Sequence, residues 1–252
     1  MNFIRIFMVL AAIALTGCAS TRPLNPADPL ESFNRGVYTF NDTLDKAVVK
    51  PVAQGYNKVM PETGKSMVIN FFSNLDDVVV TANDFLQFKF RQGLSDGMRF
   101  LVNSTVGVAG LVDVASMNLE KHNEDFGQTL GYWGIKTGPY LVVPILGPST
   151  FRDSLGDIGD SQVSLIANTK HVRTRNQLYI TKGIKRRAQL LDDESVMEGA
   201  MIDRYAFIRD AYLQRRESLV YDGNPPHDPL EDESIDDAPA APDAPSSPPT
   251  AP

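Results

Sequence analysis

The chain contains 252 residues, of which 42% are hydrophobic, and it carries a formal net charge of −7. The negative charge lies at the C-terminal end, because residues 18–221 hold 23 basic and 23 acidic side chains, whereas residues 222–252 hold 8 acidic and no basic ones. A near-neutral body lacks the basic footprint of a nucleic-acid-binding protein, and a single cysteine excludes an intramolecular disulfide. The length allows one substantial domain that packing alone stabilises.

The N-terminus has the pattern of a bacterial lipoprotein signal. Arg5 precedes an uncharged apolar run over residues 6–15, which is too short to span a bilayer as a helix. Small residues then lead to Cys18, the only cysteine. We predict that residues 1–17 are a signal peptide and that Cys18 is lipidated, although an ordinary signal peptide that contains a cysteine also fits. Ala19 follows the cysteine where an Asp would favour retention in the inner membrane, so we expect the outer membrane, on its periplasmic face.

A helix is predicted after the turn-rich residues 25–29. Asp28 has the position of an N-cap, with Pro29 at the first helical position and Glu31 three residues beyond the cap. We predict that Pro51 ends or redirects this element. Apolar residues recur at helical spacing along one face, at Phe33, Val37, Phe40, Leu44, Ala47 and Val48.

Two apolar stretches follow in the middle of the chain. Residues 67–90 are apolar around most of a helical circumference, which is typical of a helix buried in a protein core or in lipid, and their polar residues mark a minority face. Residues 97–115 contain no charge between Arg99 and Asp113. Since this second stretch is too short for an ordinary spanning helix, we predict a helical hairpin that turns near Gly107–Gly110 and returns.

Residues 126–153 predict an irregular apolar loop that glycines and prolines interrupt. Pro144 lies inside the apolar run 140–146 and argues against a central strand. Two helices follow, each polar on its other face, so we expect both on the aqueous side. Their apolar positions are Ile180, Ile184, Ala188 and Leu191 in the first, and Met201, Tyr205, Ile208 and Tyr212 in the second.

Catalytic motifs are incomplete, so we predict that the protein is not an enzyme and needs no cofactor. Ser149 resembles a nucleophile elbow, but Phe151 replaces the final glycine and Pro148 removes a backbone N–H. A membrane-bound lipase that uses Ser149 or Ser154 stays open as an alternative. No metal site is expected, because the three histidines lack paired ligand spacing, at His122, His171 and His227.

Charged clusters near the end of the body have structural explanations. We expect Asp153, Asp157 and Asp160 to cap helices beside glycines. The basic cluster that ends at Arg187 fits a solvated helix face or contact with anionic lipid head groups, and includes Lys182, Lys185 and Arg186.

The C-terminal end is acidic and rich in proline. Residues 223–252 contain few large apolar side chains, so we predict a disordered tail that either binds nothing or acts as a spacer. The sequence therefore divides into a signal peptide over residues 1–17, one helical domain over residues 18–222, and the tail over residues 223–252.

Several multi-residue motifs run in order between Cys18 and Arg216. They are DPLESFNR from Asp28, KPVA from Lys50, NSTVG from Asn103, GLVDVA from Gly110, FGQTLG from Phe126, GPYLVVPILGPSTFRD from Gly138 and RDAYLQRR from Arg209. Together these motifs resemble the MlaA (VacJ) family of outer-membrane lipoproteins.

The resemblance implies an all-α fold, in which a single ring- or donut-like helical domain is embedded in the inner leaflet of the outer membrane. It implies that mislocalised phospholipids leave the outer leaflet through a central amphipathic channel and pass to a periplasmic lipid carrier, which feeds an inner-membrane ABC transporter. The family works beside trimeric porins and maintains lipid asymmetry without a cofactor. A structural lipoprotein that bridges to porins without moving lipid is the alternative.

The resemblance also suggests where the lipid path lies. We expect it around the hairpin over residues 100–114 and the loop over residues 132–146. The candidate lining residues are Phe100, Leu101, Asn103, Val106, Gly107, Gly110, Leu111, Tyr132, Trp133, Tyr140 and Leu141.

Overall fold

A computed structural model describes residues 25–191, 194 and 203–226. Cys18, the predicted signal peptide and the tail from residue 227 onwards lie outside the described residues. The described chain is mostly helical, which confirms the predicted all-α class. Among these residues, none of the helices combines the length and the apolar character that crossing a membrane requires.

The helices pack in pairs: residues 62–86 lie along residues 90–105, residues 50–59 against residues 172–189, and residues 126–132 against residues 151–163. The first two helices are joined without a break by a π-helical turn, and the only strands in the described chain form one antiparallel hairpin. In chain order the elements are α1 (Glu31–Leu44), the π turn (Asp45–Val49), α2 (Lys50–Val59), α3 (Glu62–Leu86), α4 (Phe90–Thr105), a 3-10 turn (Ala115–Met117), α5 (Phe126–Tyr132), β1 (Tyr140–Val143), β2 (Gly147–Thr150), α6 (Phe151–Val163), α7 (Val172–Gln189) and α8 (Arg204–Val220).

We expected Pro51 to end or redirect the first helix. Pro51 in fact lies in the first turn of α2, directly after the π turn, so the helical chain continues past it. Proline lacks an N–H and its ring clashes with the carbonyl four residues earlier, which here belongs to Ala47. The wider π turn accommodates that clash by changing the hydrogen-bond register.

The predicted N-cap role of Asp28 is wrong. Helix α1 begins at Glu31, and no side chain caps it. Asp28 is instead fully buried, where its carboxylate accepts hydrogen bonds from Asn34 Nδ2 at 2.8 Å and from the hydroxyl of Tyr205. Donors from distant segments therefore replace the local cap that the spacing suggested.

The predicted irregular loop contains a β-hairpin. Strand β1 pairs with β2 in the register Tyr140↔Thr150 and Val143↔Gly147. Pro144 lies in the connection between the strands, so it removes no hydrogen bond from the ladder. A two-stranded sheet has only edge strands, and the argument against a central strand still holds.

The helical return predicted after Gly110 does not form. Helix α4 ends at Thr105, and residues 106–114 are turns before the short 3-10 turn. Val108 and Ala109 have φ angles of 55°, in the left-handed region, and Gly110 follows at 82°. Consecutive left-handed residues reverse the chain tightly, so the returning segment cannot start a helix.

The main apolar core lies where α1, the hairpin and α8 meet. Tyr140, Val142 and Tyr205 are buried there, and we call this cluster the aromatic core. The rings of Tyr140 and Tyr205 have centroids 6.3 Å apart in an edge-to-face arrangement. Partly buried residues pack around the cluster, namely Val37, Tyr38, Tyr212 and Leu213.

Candidate functional site

The pair formed by α3 and α4 has a polar interior. Its buried side chains are mainly amides, carboxylates and one guanidinium, which recur at helical spacing on the facing sides of the two helices. Phe72 and Val80 are the buried apolar exceptions on α3. We call the polar set the polar seam: Asn74, Asp77, Asn83, Asp84, Asp96, Arg99 and Asn103.

Arg99 organises one end of the polar seam. Its Nη2 donates to both carboxylate oxygens of Asp113, at 3.0 and 2.8 Å, and its Nη1 donates to the Leu119 carbonyl at 2.6 Å. Asn103 Nδ2 also donates to Asp113, at 2.9 Å. Burial raises the pKa of Asp113, but hydrogen bonds from Asn103 and Arg99 outweigh it, and the net pKa lies below its usual value. The turn after α4 is thus fixed to α4 by charge-assisted bonds.

Carboxyl groups crowd the other end of the polar seam. Asp84 and Asp96 are fully buried, and Glu124 lies beside them, where it accepts from Gln87 at 2.8 Å and from Lys89 at 2.9 Å. Burial, followed by the charge of Asp96, raises the pKa of Asp84 to about 8. The raised pKa favours the protonated form of Asp84, because two adjacent buried carboxyls cannot both ionise without a large cost.

Polar atoms along α3 are left without a partner in the described part of the chain. They are Asn74 Oδ1, Asp77 Oδ2 and Asp84 Oδ2, and each is buried. An unpaired buried polar atom costs about 1–3 kcal/mol, so this interior is unusual for a water-soluble helical pair. Polarity is thus concentrated inside the pair.

The outer face of the same helices is apolar. On α4, Leu94 is 64% exposed and Leu101 is 54% exposed, and Val106 just beyond the helix is 66% exposed. The apolar stripe of α1 also points outwards, because Phe33 and Phe40 are more than half exposed. We call these surfaces the apolar belt. It includes Phe33, Phe40, Val48, Phe85, Leu86, Phe88, Phe90, Leu94, Met98, Leu101, Val106 and Val108.

The structure divides the residues predicted to line a lipid path into three groups. Leu101, Val106, Tyr132 and Trp133 are exposed. Phe100, Leu111 and Leu141 are half-buried. Four others are buried, namely Asn103, Gly107, Gly110 and Tyr140.

The buried candidates have structural contacts. Tyr140 lies in the aromatic core at 1% exposure, and Asn103 belongs to the polar seam. Gly107 and Gly110 make close approaches, because a Cβ at Gly110 would lie 2.7 Å from the side chain of Asn74. Of the exposed members, Leu101 and Val106 belong to the apolar belt, whereas Tyr132 and Trp133 lie at the C-terminal end of α5.

Two asparagines on α1 hold the hairpin, a role that the sequence reading missed. Asn34 donates to the Tyr140 carbonyl at 2.9 Å and accepts from the Val142 N–H at 2.9 Å. Asn41 repeats this pattern, donating to the Val143 carbonyl at 3.0 Å and accepting from the Ile145 N–H at 2.8 Å. Their spacing of seven residues, two helical turns, is the signal that could have identified the pair.

The C-terminal helix closes the fold through Arg216. Its guanidinium donates to Asp125 at 2.6 and 2.8 Å and to Asp153 at 2.9 Å. Although burial raises the pKa of Asp125, the hydrogen bond and charge of Arg216 bring it below its usual value. Asp153 is thus an ion-pair partner and not a helix cap, because the cap of α6 is Thr150. Asp160 does accept from the Phe126 N–H at the start of α5, at 3.1 Å.

The basic residues of α7 have mixed surroundings. Arg187 donates to Asp45 at 2.8 Å and to Glu194 at 2.6 Å, so it fixes α7 to the π turn. Lys182 donates to Asp76 at 2.6 Å. Lys185 lies 5.8 Å from the ring centroid of Phe72, and burial lowers its pKa. The cluster therefore joins α7 to its neighbours instead of forming a wholly solvated face.

The candidate nucleophiles are poorly placed for hydrolysis. Ser149 is 6% exposed, and its hydroxyl lies 3.0 Å from that of Ser154. A serine nucleophile needs a base within hydrogen-bond reach. His122 could be such a base, but its Nδ1 contacts Asp96, at 2.8 Å, and not either serine. The geometry thus gives the lipase alternative no support.

A family model described as MlaA lipoprotein matches residues 26–219. The chain belongs to the MlaA lipoprotein family. The match begins just before α1 and ends within α8, so it covers the polar seam, the hairpin and the aromatic core of this MlaA lipoprotein.

Curated relatives extend the match over most of each chain. The "Intermembrane phospholipid transport system lipoprotein MlaA" of Escherichia coli strain K12 is 35% identical over 225 residues, which are 86% of this chain and 88% of the relative. The protein of the same name from Haemophilus influenzae is 31% identical over 225 residues, 85% of this chain and 89% of the relative.

A solved structure supports the same fold. It was described under the heading "Structural basis for maintenance of bacterial outer membrane lipid asymmetry", and it matches with a TM-score of 0.69 and 33% identity. The match covers 77% of this chain and 98% of the solved chain.

Proposed function

We propose that this MlaA lipoprotein removes mislocalised phospholipids from the outer leaflet of the bacterial outer membrane and passes them to a periplasmic lipid carrier. The observation that carries the proposal is the reversed polarity of the α3–α4 pair, with the polar seam inside and the apolar belt outside. The names of the relatives, which refer to phospholipid transport, and the subject of the solved structure support it.

The apolar belt favours a location within one leaflet. Exposed apolar surface is unfavourable in water by about 25 cal/mol per Å², and lipid removes that cost. Single exposed leucines are ordinary, but a cluster of large exposed apolar residues, such as that around Phe85, Phe88 and Phe90, marks an interaction surface. Together with a lipid on Cys18, the belt would hold the domain in the inner leaflet of the outer membrane.

The path itself needs polar and apolar contacts side by side, because a phospholipid has a charged head and two acyl chains. We propose that it follows the border between the polar seam and the apolar belt, near Leu101, Val106 and Trp133. Passage along this border involves no covalent step. The direction of flow would come from the carrier and the inner-membrane ABC transporter, and trimeric porins would hold the protein in place.

The test compares the same lysine substitution at two exposed aliphatic residues of equal size, which lie on different helices. Leu101→Lys places a charge in the apolar belt, where burial in lipid costs about 2.5–3.5 kcal/mol. Ile180→Lys, at 62% exposure on α7, is the matched control on the side expected to face water. In a strain that lacks the native protein, we expect Leu101→Lys to leave phospholipid in the outer leaflet and Ile180→Lys to clear it.

Membrane association of both variants is measured in parallel with outer-leaflet phospholipid. If both variants associated with the membrane and removed outer-leaflet phospholipid to the same extent, that result would contradict the placement of the apolar belt in lipid. Intact asymmetry after deletion of the protein would contradict transport and favour a lipoprotein that only bridges to porins.

A further inference from the structure

An open cleft of about 680 Å³ lies where α3 turns into α4. This volume falls within the range of about 300–1,000 Å³ that is usual for ligand-binding clefts. None of its lining residues belongs to the predicted lipid path. The residues that matter for its chemistry are Phe88, Lys89, Phe90, Arg91, Glu120 and His122.

The cleft holds one cation and one anion that lack an ion-pair partner in the described chain. Arg91 and Glu120 are exposed, and neither makes a side-chain hydrogen bond or ion pair among the residues that the structure describes. Lys89 differs, because its ammonium donates to Glu124 at 2.9 Å and to Asp222 at 2.5 Å. The charges available to a ligand are therefore those of Arg91 and Glu120.

His122 is fixed at the wall of the cleft. Its Nδ1 lies 2.8 Å from the carboxylate of Asp96, which is fully buried. This contact orients the imidazole ring and occupies Nδ1. Nε2 remains as the ring nitrogen that a ligand can reach.

The rim of the cleft is aromatic and strained. Phe88 is 68% exposed, Phe90 is 57% exposed, and their ring centroids lie 6.2 Å apart. Phe88 has a φ of 62° at the end of α3, where Lys89 N–H bonds back to the Asp84 carbonyl at 2.9 Å. A helix that ends in this way usually has glycine at the left-handed position. A bulky exposed residue held there points to a functional contact.

The start of α4 adds to a site that the cleft already forms. Its first turn contains no acidic residue, and no side chain caps it. Arg91 itself lies in that turn, where a positive side chain is unfavourable next to the positive end of the helix dipole. A bound anion would relieve this conflict and accept the free N–H groups.

We propose that this cleft binds the zwitterionic head group of a phospholipid. The phosphate lies against Arg91 and the start of α4, the ammonium lies against Glu120, and the acyl chains cover Phe88 and Phe90. This inference rests on the proposed function and deepens it, because it selects phosphoethanolamine-type head groups. An anionic phosphoglycerol head group carries no cation for Glu120 and offers it only neutral hydroxyl donors, which make weaker hydrogen bonds.

Titration calorimetry on the purified full-length lipoprotein in detergent tests the site with three probes: dihexanoyl phosphatidylethanolamine, dihexanoyl phosphatidylglycerol and inorganic phosphate. We expect phosphatidylethanolamine to bind most tightly and phosphate most weakly. Arg91→Gln should weaken both lipids by about tenfold, the loss of one charge-assisted hydrogen bond. Glu120→Gln should weaken phosphatidylethanolamine by several-fold and phosphatidylglycerol by less.

The matched control is Arg173→Gln, which removes an exposed arginine from α7 that also has no recorded partner in the described chain. It should leave all three affinities unchanged. The site would be overturned if Arg91→Gln behaved like this control, if Glu120→Gln weakened both lipids equally, or if phosphate bound as tightly as phosphatidylethanolamine. The last outcome would indicate a site for free anions.

Measuring outer-leaflet phospholipid in cells distinguishes a failure of this inference from a failure of the proposed function. A wild-type protein that clears phospholipid but does not bind phosphatidylethanolamine in the calorimeter would overturn the cleft and leave the function standing. Conversely, asymmetry that survives deletion of the protein would contradict the function, on which the inference depends.

Discussion

The α3–α4 pair and the aromatic core follow opposite rules of polarity. Tyr140, Val142 and Tyr205 bury apolar rings and methyl groups in the usual way, whereas the polar seam buries amides and carboxyls below an apolar surface. The aromatic core thus follows the pattern of a protein in water, with the buried Asp28 and Asn34 beside it satisfied by hydrogen bonds. The proposed function explains the α3–α4 side by contact with lipid, which does not compete for hydrogen bonds.

The largest expected effect is on the ionic closure of the C-terminal helix. Arg216→Ala leaves Asp125 without its cation and leaves Asp153 with only the longer contact to Arg152, at 3.4 Å. We expect the free energy of unfolding to fall by about 3–5 kcal/mol. Chemical denaturation measures it, with the exposed neighbour Arg215→Ala as the control. Arg99→Ala should cost less, because Arg99 holds the single carboxylate of Asp113, whereas Arg216 holds two carboxylates. If Arg216→Ala and Arg99→Ala lowered the free energy of unfolding equally, the two regions would not differ in how strongly they depend on a buried arginine.

The turn after α4 should tolerate no added methyl group. A Cβ at Gly107 would lie 2.5 Å from the carbonyl oxygen of Asn103 and closer still to that of Val112. We expect Gly107→Ala to destabilise the protein by about 1–3 kcal/mol. Gly183→Ala is the control, since that glycine lies in α7 with open space around it, and it should stabilise by up to about 1 kcal/mol. Thermal unfolding distinguishes the opposite signs, and a stabilised Gly107→Ala would show that the turn is loosely packed.

The polar seam should make stability depend on pH. The pKa of Asp84 is 3.8 in its usual state and about 8 in the fold, so the folded state binds more protons than the unfolded state between these values. The stabilisation is fully present below pH 3.8 and is lost as pH rises through about 8. Asp125 should act in the opposite direction, because its lowered pKa stabilises the fold above its usual pKa and the effect is lost as pH falls.

Asp84→Asn checks this dependence, since the amide keeps the shape and needs no proton. Denaturation midpoints at about pH 5 and about pH 8 should differ less in this variant than in the native protein. An unchanged difference would mean that Asp84 is ionised in the fold.

The smallest expected effect is local to the hairpin. Asn41→Ala removes the acceptor of the Ile145 N–H, so hydrogen exchange of that amide should accelerate, while global stability falls by about 1 kcal/mol. Thr43→Ala serves as a control, because its hydroxyl bonds within α1 to the Thr39 carbonyl. Unaltered exchange at Ile145 would mean that the ladder between β1 and β2 alone holds the hairpin.

Local patterns predicted the helices but not which of their faces is buried. The stripe from Phe33 to Val48 is helical as expected, yet Phe33, Phe40 and Val48 point outwards. Periodicity identifies two faces, and the burial of one of them depends on the solvent, which the sequence does not state. Asn34, a polar residue, is at 0% exposure because its amide bonds to the backbone of β1.

Contacts between distant segments account for the other differences. Asp28 has an ideal capping position, but Tyr205, which is 177 residues away, provides a donor that local spacing cannot reveal. The β-hairpin was not predicted, because Pro144 inside the apolar run 140–146 argued against a strand. The run in fact divides into β1 and the turn that contains Pro144. Of the predicted path residues, Leu101 and Val106 are exposed, whereas Tyr140 is buried because it packs against Tyr205 of α8.

The only tryptophan of the chain gives the molecule a built-in optical probe. Trp133 is 48% exposed, its indole N–H donates to the Leu86 carbonyl at 3.2 Å, and its ring meets Phe126 edge-on. Because the indole ring is anchored to α3 and about half exposed, its emission wavelength reports the polarity around Trp133 without any added dye. Quenching of its steady-state fluorescence by acrylamide and by brominated acyl chains would therefore measure how deeply Trp133 lies in a bilayer.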